Sequence, residues 1–369
     1  MRRMALLHWD LFCRVIDNHG DLGVCWRLAR RLAALGGTVR LWVDDAAALA
    51  WMAPAGAPGI TVMPWREPLP HERPGDVVVE AFGCDPPAGF VAAMAAQRPP
   101  PVWINLEYLS AEAFVERSHG LASPQSAGPG RGLSKWFFYP GFTAATGGLL
   151  LEDGLVAARE AHPGPEWLAA RGMSAATGMR RVSLFCYEQP ALRGWLDAWS
   201  ADTAHPTTLY TTPGHATRQV AAWLGSALKP GDRAVRGALT VHALPWLNQP
   251  DYDRLLWSCD LNLVRGEDSL VRALWAGRPF AWQIYPQHDG AHRAKLDAFI
   301  DQQLPAADGA LRAAWQHWGD ANAPSAPSDA LLECGAATLF TATATRLAAQ
   351  QAALGDLGSR LYDFVSARR

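Results

Sequence analysis

Short apolar runs alternate with amphipathic helical runs along the first half of the chain. The run MALLHWDLFCRV is apolar and rich in strand-forming residues, and VCWRLARRLAALGG places Val24, Leu28 and Leu32 at helical spacing. Further short strands are predicted at TVRLWVDD, TVMPW, DVVVEAFG and VWINLEYLS. Strands that alternate with helices in this way are typical of a parallel sheet covered on both faces.

The same alternation begins again near Arg181. The second series of predicted strands is RVSLFCY, TTLYTT, LTVHAL, DLNLVRG and PFAWQIY, with helical runs between them. We therefore predict an α/β protein of two Rossmann-like domains that face each other across a cleft, at residues 1–160 and 178–340. A proline-rich patch at 324–329 precedes a predicted terminal helix of about 35 residues. Its last part, 341–369, is expected to pack back on the first domain.

Composition narrows the class of protein. Lys and Arg number 33 against 35 Asp and Glu, so the formal net charge is −2, whereas proteins that neutralise nucleic-acid phosphates are normally basic. The apolar runs are shorter than the roughly 20 residues that span a bilayer, and Asp10, Arg14 and Asp17 interrupt any signal-peptide core. The six cysteines form no C-x-x-C pair, which favours buried thiols in a reducing compartment. These features predict a cytoplasmic protein that binds neither nucleic acid nor membrane.

Two aspartates lie in the loop between the first predicted strand and the first predicted helix. The run DNHGDLG contains Asp17, Asn18, Gly20 and Asp21. Ligands of open α/β sheets bind beyond the carboxyl ends of the strands, and paired carboxylates beside glycines suit general-base or cation-binding chemistry. The alternative is that Asp21 only caps a helix that begins near Val24. The run lacks the G-x-G-x-x-G order of a dinucleotide-binding loop.

A second polar run, RGEDS, follows the strand DLNLV and opens a predicted helix. The free N–H groups and the dipole of a helix N-terminus favour phosphate, and Arg265 would add a bidentate phosphate contact. Glu267, Asp268 and Ser269 either cap the helix or belong to a nucleotide-sugar diphosphate site. In the second case, a carboxylate beside the diphosphate would serve the sugar hydroxyls or the acceptor.

Aromatic residues lie at the same predicted edge. Phe185 and Tyr187 end the strand RVSLFCY, and Trp246 and Tyr252 flank Gln249. Aromatic faces with an amide between them could hold a nucleotide base, and the alternative is that these rings belong to the core. The histidines show no H-E-x-x-H motif and no metal-ligand spacing, so no metal site is expected.

Four long runs together resemble one family of enzymes. They are WDLFCRVIDNHGDLGVCWRLARRLA, INLEYLSAEAFVERSHGL, KWFFYPGF and LPWLNQPDYDRLLWSCDLNLVRGEDSLVRALWAGRPFAWQIYPQHDGAH. These runs are similar to the bacterial protein-arginine rhamnosyltransferases that modify elongation factor P. The resemblance implies the glycosyltransferase B fold and no metal or other cofactor. It also implies inverting transfer of L-rhamnose from dTDP-β-L-rhamnose to one arginine of elongation factor P, which activates that factor to relieve polyproline stalling.

The resemblance implies roles for individual residues as well. Asp17, Asp21 and Glu267 match three essential carboxylates, of which Asp21 is the better candidate for the base, and Asn18 and Gly20 belong to the supporting loop. The residues that match contacts to the nucleotide-sugar donor are Phe185, Tyr187, Trp246, Gln249, Tyr252, Arg265, Asp268 and Ser269. Phenylalanine is usual in the family where Trp246 and Tyr252 stand; both changes keep an aromatic face.

Two other functions remain open from the residues. One is a glycosyltransferase of the same fold with another acceptor, although no basic amphipathic helix suited to a lipid acceptor is evident. The other is a dTDP-binding protein without catalysis, for which three carboxylates would be unnecessary. Glu107, Tyr108 and Glu116 are candidates for acceptor contacts on the first domain, because acidic residues suit a cationic acceptor.

Overall fold

The chain forms two compact α/β units. The computed structural model describes residues 6–16, 19–66, 73–286, 290–304, 309–319 and 334–369. The first unit comprises Met1–Asp153 and Gln351–Arg369, and the second comprises Gly154–Gln350. Both units alternate strands and helices, so the predicted α/β class is confirmed.

Thirteen strands and fourteen helices are found in the described residues. The first unit begins with β1 His8–Cys13, α1 Gly20–Ala34, β2 Thr38–Val43, α2 Leu49–Met52, β3 Ile60–Pro64, β4 Val77–Ala81, α3 Ala88–Ala96, β5 Val102–Leu106, α4 Phe114–Ser118, β6 Ala122–Pro124 and β7 Ser134–Phe138. Then follow α5 Leu155–Glu160, α6 Pro165–Ala169, β8 Arg180–Leu184, α7 Leu192–Ala201, β9 Thr207–Thr211, α8 His215–Leu224, β10 Arg233–Arg236, β11 Leu239–Ala243, α9 Gln249–Ser258, β12 Leu261–Arg265, α10 Gly266–Ala276, β13 Phe280–Gln283, α11 Ala291–Gln303, α12 Gly309–Gly319 and α13 Cys334–Ala353. The last helix, α14 Leu357–Ser366, belongs to the first unit.

The sheet of the first unit has the strand order β3-β2-β1-β4-β5-β7-β6. All pairs are parallel except that of β6 with β7. Every residue of β4 and β5 is buried, as expected for strands covered on both faces. The chain continues from β1 to one side and from β4 to the other. The point where the strand order reverses, which is where such sheets bind ligands, therefore lies between β1 and β4.

The sheet of the second unit has the order β10-β11-β9-β8-β12-β13. It is parallel except at β10, which runs antiparallel to β11. Val182 of β8 pairs with Leu261 of β12, and the strand order reverses between these two strands. Residues that follow β8 and β12 are therefore placed at the expected ligand-binding edge of the second unit.

Helix α1 begins earlier than the sequence pattern predicts. It starts at Gly20 rather than near Val24, so Asp21 lies inside the first turn instead of capping the helix. A negative side chain in the first turn is favoured by the helix dipole, which explains why the polar run GDLG is helical. The apolar face of α1, with Leu28 and Leu32, is buried in the core of the first unit.

The predicted single terminal helix is wrong, because the structure has two helices, α13 and α14. Gly355, between them, has a φ of +87°, a left-handed conformation that ends a right-handed helix. Asp356 then caps α14 by accepting a hydrogen bond from the Ser359 N–H at 3.1 Å. The proline-rich patch at 324–329 lies outside the described residues.

The segment between the two sheets also differs from its predicted place. The predicted domains 1–160 and 178–340 leave a bridge at 161–177, whereas the units divide between Asp153 and Gly154. The bridge contains α6, whose Trp167 and Leu168 are buried in a cluster of the second unit. Two buried apolar side chains within six residues of Pro163 anchor the segment, so it is part of the second unit's core.

Candidate active-site residues

Arg265 is a buried cation at the carboxyl end of β12. Only 9% of its surface is exposed, and its guanidinium carbon lies 4.4 Å from the Phe185 ring centroid and 4.3 Å from that of Tyr187. No ion pair among the described residues includes Arg265, and its Nη1 has no hydrogen-bond partner there. A buried guanidinium with an unused N–H is well suited to donate a hydrogen bond to a phosphate oxygen.

An aromatic column extends on both sides of Arg265. The Phe185 ring meets the Tyr252 ring edge to face at 5.9 Å, and the Tyr187 ring meets that of Tyr285 at 5.4 Å. Tyr285, which is exposed, was not predicted as a site residue. Its position as the last residue of the predicted strand PFAWQIY, just as Tyr187 ends RVSLFCY, is the signal that could have found it.

The start of α9 carries the other three residues predicted for the base. Gln249 is buried in the first turn, after Asn248 caps the helix by accepting from the Asp251 N–H at 2.8 Å. Burial raises the pKa of Tyr252 well above its ordinary value, with the Ser269 side chain opposing the rise. Trp246, which precedes the helix, is 47% exposed. Tyr252 and Trp246 thus differ, because one ring packs in the protein and the other faces solvent.

The N-terminus of α10 follows Arg265 directly. Gly266 has a φ of +66°, which other residues rarely adopt, and its carbonyl accepts a hydrogen bond from Trp282 Nε1 at 2.9 Å. No side-chain hydrogen bond caps this helix. The N–H groups of its first turn, beside Glu267 and Asp268, can therefore bind an anion.

Two ion pairs fix α10 in the second unit. Arg272 of α10 binds both oxygens of Asp253 of α9 at 2.7 and 2.8 Å, and both side chains are buried. Glu267 Oε1 lies 2.6 Å from Nζ of Lys295, on α11. Sequence reasoning did not identify Lys295, because a partner 28 residues away leaves no periodic signal. The unusual scarcity of lysine was the available hint.

Asp21 is the described member of the predicted aspartate pair. Asp17 and Asn18 lie outside the described residues. Asp21 is 4% exposed, and its Oδ2 accepts a hydrogen bond from the Ile16 N–H at 2.9 Å. One carboxylate oxygen thus holds the backbone that leads into the loop. Gly20 is the first residue of α1, as described above.

A stacked aromatic pair lies near the predicted acceptor contacts of the first unit. The Tyr108 ring stacks on the Phe82 ring, with centroids 4.4 Å apart and planes 14° apart. Phe82 has a φ of +59°, a strained conformation for a residue with a side chain that costs on the order of 1 kcal/mol. Glu107 Oε1 accepts a hydrogen bond from Asn105 at 2.7 Å, and Glu116 is exposed on α4. Phe82 was missed because its importance lies in its backbone conformation.

The structure therefore joins part of the predicted site by direct contact. Phe185, Tyr187, Tyr252 and Arg265 form one column, and Ser269 lies beside Tyr252. Among the residues that the structure describes, no cluster of His, Cys, Asp and Glu could hold a metal ion. In the same part of the chain, no helix is both long enough and apolar enough to cross a membrane.

The two sheets and their ligand-binding edges have the arrangement of the glycosyltransferase B fold. The glycosyltransferase SnogD from Streptomyces nogalater shares this fold, with a TM-score of 0.50 and 15% identity. That match covers 99% of this chain and 100% of the SnogD chain. At such low identity the likeness concerns the fold alone.

A family model supplies the particular family. The model described as "Elongation-Factor P (EF-P) rhamnosyltransferase EarP" matches residues 9–366, and the chain belongs to this family. The protein-arginine rhamnosyltransferase of Pseudomonas putida is 47% identical over 84% of this chain and 86% of its own length. A solved structure described as "Structural basis for EarP-mediated arginine glycosylation of translation elongation factor EF-P" is 34% identical, with a TM-score of 0.67. It covers 98% of this chain and 100% of its own, so the resemblance seen in the sequence is confirmed.

Proposed function

We propose that this protein transfers L-rhamnose from dTDP-β-L-rhamnose to an arginine of elongation factor P, with inversion at the anomeric carbon. The observation that carries the donor side of the proposal is the buried, unpaired Nη1 of Arg265 beside an uncapped helix N-terminus. The family and the names of its relatives support rhamnose and the protein acceptor. We place the reaction in the cytoplasm.

The second unit holds the nucleotide-sugar donor in this proposal. Arg265 and the first turn of α10 bind the diphosphate, with Asp268, Ser269 and Tyr187 beside it. The thymine is bound by the aromatic and amide residues Phe185, Trp246, Gln249 and Tyr252. The guanidinium and the helix dipole stabilise the negative charge of the departing dTDP, which is the task that a divalent metal performs in other transferases. We therefore propose a reaction without metal or other cofactor.

The carboxylates of the first unit act on the acceptor. Arginine is a weak nucleophile because its charge is delocalised and its pKa lies above about 12. Asp17 and Asp21 hold the guanidinium by charge-assisted hydrogen bonds and orient one nitrogen. A nitrogen–carbon bond forms while the anomeric carbon–oxygen bond breaks and its electron pair leaves with dTDP. The nitrogen's proton passes to the aspartate, for which we propose Asp21.

The acceptor protein is expected to meet more of the first unit than the two aspartates. The Phe82–Tyr108 stack offers an aromatic face, and Glu107 and Glu116 offer negative charge. Both features suit a positively charged arginine and its surroundings.

Mass spectrometry of unmodified elongation factor P tests the proposal. The factor is incubated with this protein and dTDP-rhamnose, in the presence of a chelator, and its intact and fragment masses are measured. One deoxyhexose on one arginine is the expected result. Binding of dTDP without transfer would support the proposed donor site and overturn the proposed acceptor. Absence of both binding and transfer would overturn the whole proposal.

A further inference from the structure

One ion pair of the second unit lies next to the residues proposed to bind the diphosphate. Glu267 is separated from Arg265 only by Gly266, and its Oε1 is 2.6 Å from Lys295 Nζ. The two side chains are 20% and 19% exposed, so the pair is neither a fully solvated surface contact nor a sealed core contact. Lys295 has no part in the roles proposed above.

The kind of cation at this position differs from the one used elsewhere on α10. The Arg272–Asp253 pair is buried, and the guanidinium occupies both carboxylate oxygens, which is the geometry of a structural tie between helices. A lysine ammonium is a compact point charge that meets one oxygen and leaves the carboxylate plane to be set by other contacts. Lys295 thus contacts Glu267 as a point charge at Oε1.

Lysine is also rare in this chain. It occurs only at Lys135, Lys229 and Lys295, whereas all other basic residues that are permanently charged are arginines. Lys229 is exposed, and Lys135 pairs with the buried Glu80 at 2.6 Å. An arginine in place of Lys295 would supply the same charge with a larger, planar group.

We infer that Lys295 is a positioning residue for the transfer reaction: its ammonium, 2.6 Å from Glu267 Oε1, holds the Glu267 carboxylate in the orientation that meets the sugar hydroxyls. This inference rests on the proposed function of the same site. Two positive influences act on the Glu267 carboxylate, the N-terminus of α10 and the Lys295 ammonium. A carboxylate held between them accepts hydrogen bonds from hydroxyls and fixes the sugar in its reactive orientation.

The inference predicts a separation between turnover and nucleotide binding. In Lys295→Met the turnover number should fall by about 100-fold, because a small misplacement of an orienting group has an effect of this order. Affinity for dTDP, which lacks the rhamnosyl group, should stay as in the wild type. Arg265→Met should instead lose dTDP affinity. Lys295→Arg should restore most of the turnover, since it returns the charge.

A double-mutant cycle tests whether Lys295 acts through Glu267. Lys295→Met should have no further effect on turnover in a Glu267→Gln background, because the carboxylate that it positions is absent. Lys229→Met, which removes an exposed lysine from the same unit, is the matched control and should match the wild type. Lys295→Gln, which keeps a hydrogen-bond donor without the charge, replaces Lys295→Met if thermal unfolding shows that the latter is misfolded.

Each contrary outcome has a distinct meaning. A loss of dTDP affinity in Lys295→Met equal to that in Arg265→Met would make Lys295 a diphosphate ligand and overturn the inference. Additive losses in the double mutant, or wild-type turnover in Lys295→Met, would overturn it as well. A wild-type protein that binds dTDP but transfers nothing to elongation factor P would overturn the proposed function, and this inference with it.

Discussion

The Arg265 side chain illustrates the free-energy cost of burying a charge without an ion-pair partner. Two aromatic faces contribute at most about 2 kcal/mol each to a desolvated cation, whereas removing an unpaired charge from water costs several times more. Since no carboxylate among the described residues pairs with it, the protein alone leaves this cation undercompensated. An anionic ligand would pair with the guanidinium and offset this cost, which is why Arg265 indicates a binding site.

Asp21→Asn separates a structural role of this residue from a chemical one. Asparagine can still accept the hydrogen bond from the Ile16 N–H, so the loop should keep its shape. The charge and the proton acceptor are lost, and turnover should fall by about 100-fold or more while dTDP affinity is unchanged. Steady-state rates and calorimetry measure the two quantities.

Asp45→Asn is the control for this experiment. Asp45 is exposed in the same unit, and its Oδ1 accepts from the Ala47 N–H at 2.9 Å, a contact that asparagine can also make. It should turn over donor like the wild type. Turnover of Asp21→Asn close to that of this control would argue against a catalytic carboxylate at position 21.

Site residues could be predicted from the sequence where they lie at the carboxyl end of a predicted strand. Arg265, Phe185 and Tyr187 follow apolar strands, and parallel strands bring their carboxyl ends to one edge. Lys295 and Phe82 could not be predicted in this way. Lys295 belongs to the site because α11 places it beside Glu267 of α10, and Phe82 stands out by its backbone angle. Neither feature produces a periodic pattern in the sequence.

At the scale of elements, α14 depends on one residue at its start. Asp356 caps the helix through the Ser359 N–H and binds Arg31 of α1 through both oxygens, at 2.9 and 3.0 Å. Arg31 also contacts Asp153. Although burial acts against it, the Arg31 guanidinium and Ser359 hold the pKa of Asp356 below its ordinary value. Cap and ion pair therefore work together.

Asp356→Ala should lower the stability of the first unit. Loss of the cap costs about 1 kcal/mol, and loss of one partner of a largely buried ion pair costs about 3 kcal/mol. The denaturant midpoint of unfolding should fall clearly, and Asp363→Ala, an exposed position on the same helix, should leave it nearly unchanged. Equal midpoints for the two variants would mean that the contact with Arg31 is not stabilising.

Elements with strong apolar runs were predicted well, and their ends were not. The strands β1, β4 and β5 were evident because each is almost entirely buried and consists mostly of apolar residues. Helix α1 starts at Gly20, and the chain breaks before α14 at Gly355. Single residues decide both boundaries, and the composition around them predicts different ones. Strand β7 was missed, since its SKWFF run is only partly buried.

At the scale of the whole molecule, one histidine should make stability depend on pH. His119 follows α4, and its ring lies 4.6 Å from that of Phe138 and 6.1 Å from that of Phe364 on α14. Burial, with the charges of Arg360 and Arg368 assisting, lowers the pKa of His119 to about 4. In the folded protein the ring thus stays neutral at pH values where it would be protonated in the unfolded chain.

The sign of the effect follows from proton linkage. As pH falls from about 6.5 to about 4, His119 binds a proton in the unfolded chain but stays neutral in the folded one. The free energy of unfolding therefore decreases over this range. His119→Asn, which can still accept from the Tyr139 N–H, should show a smaller decrease over this range. Unfolding midpoints at several pH values measure it. A slope in His119→Asn equal to that of the wild type would contradict the prediction.

The two-unit architecture was readable because each unit repeats the same alternation of strand and helix. The family followed from long runs of residues rather than from physical reasoning about the chain. The expected return of residues 341–369 to the first domain agrees with the place of Gln351–Arg369 in the first unit. The individual contacts that join them, such as Arg31 with Asp356, could not be predicted, because they span more than 300 residues.

That discontinuity has a consequence for biosynthesis. Residues of the first sheet leave the ribosome about 200 residues before α14 does, a delay of roughly 10–40 s at about 5–20 residues per second. During this time Arg31 and the apolar residues of α1 that pack against α14 lack their native contacts. The nascent first unit can therefore assume its sheet early, but it becomes complete only when translation of the second unit has ended. Chaperones have a defined interval in which to bind the exposed face of α1.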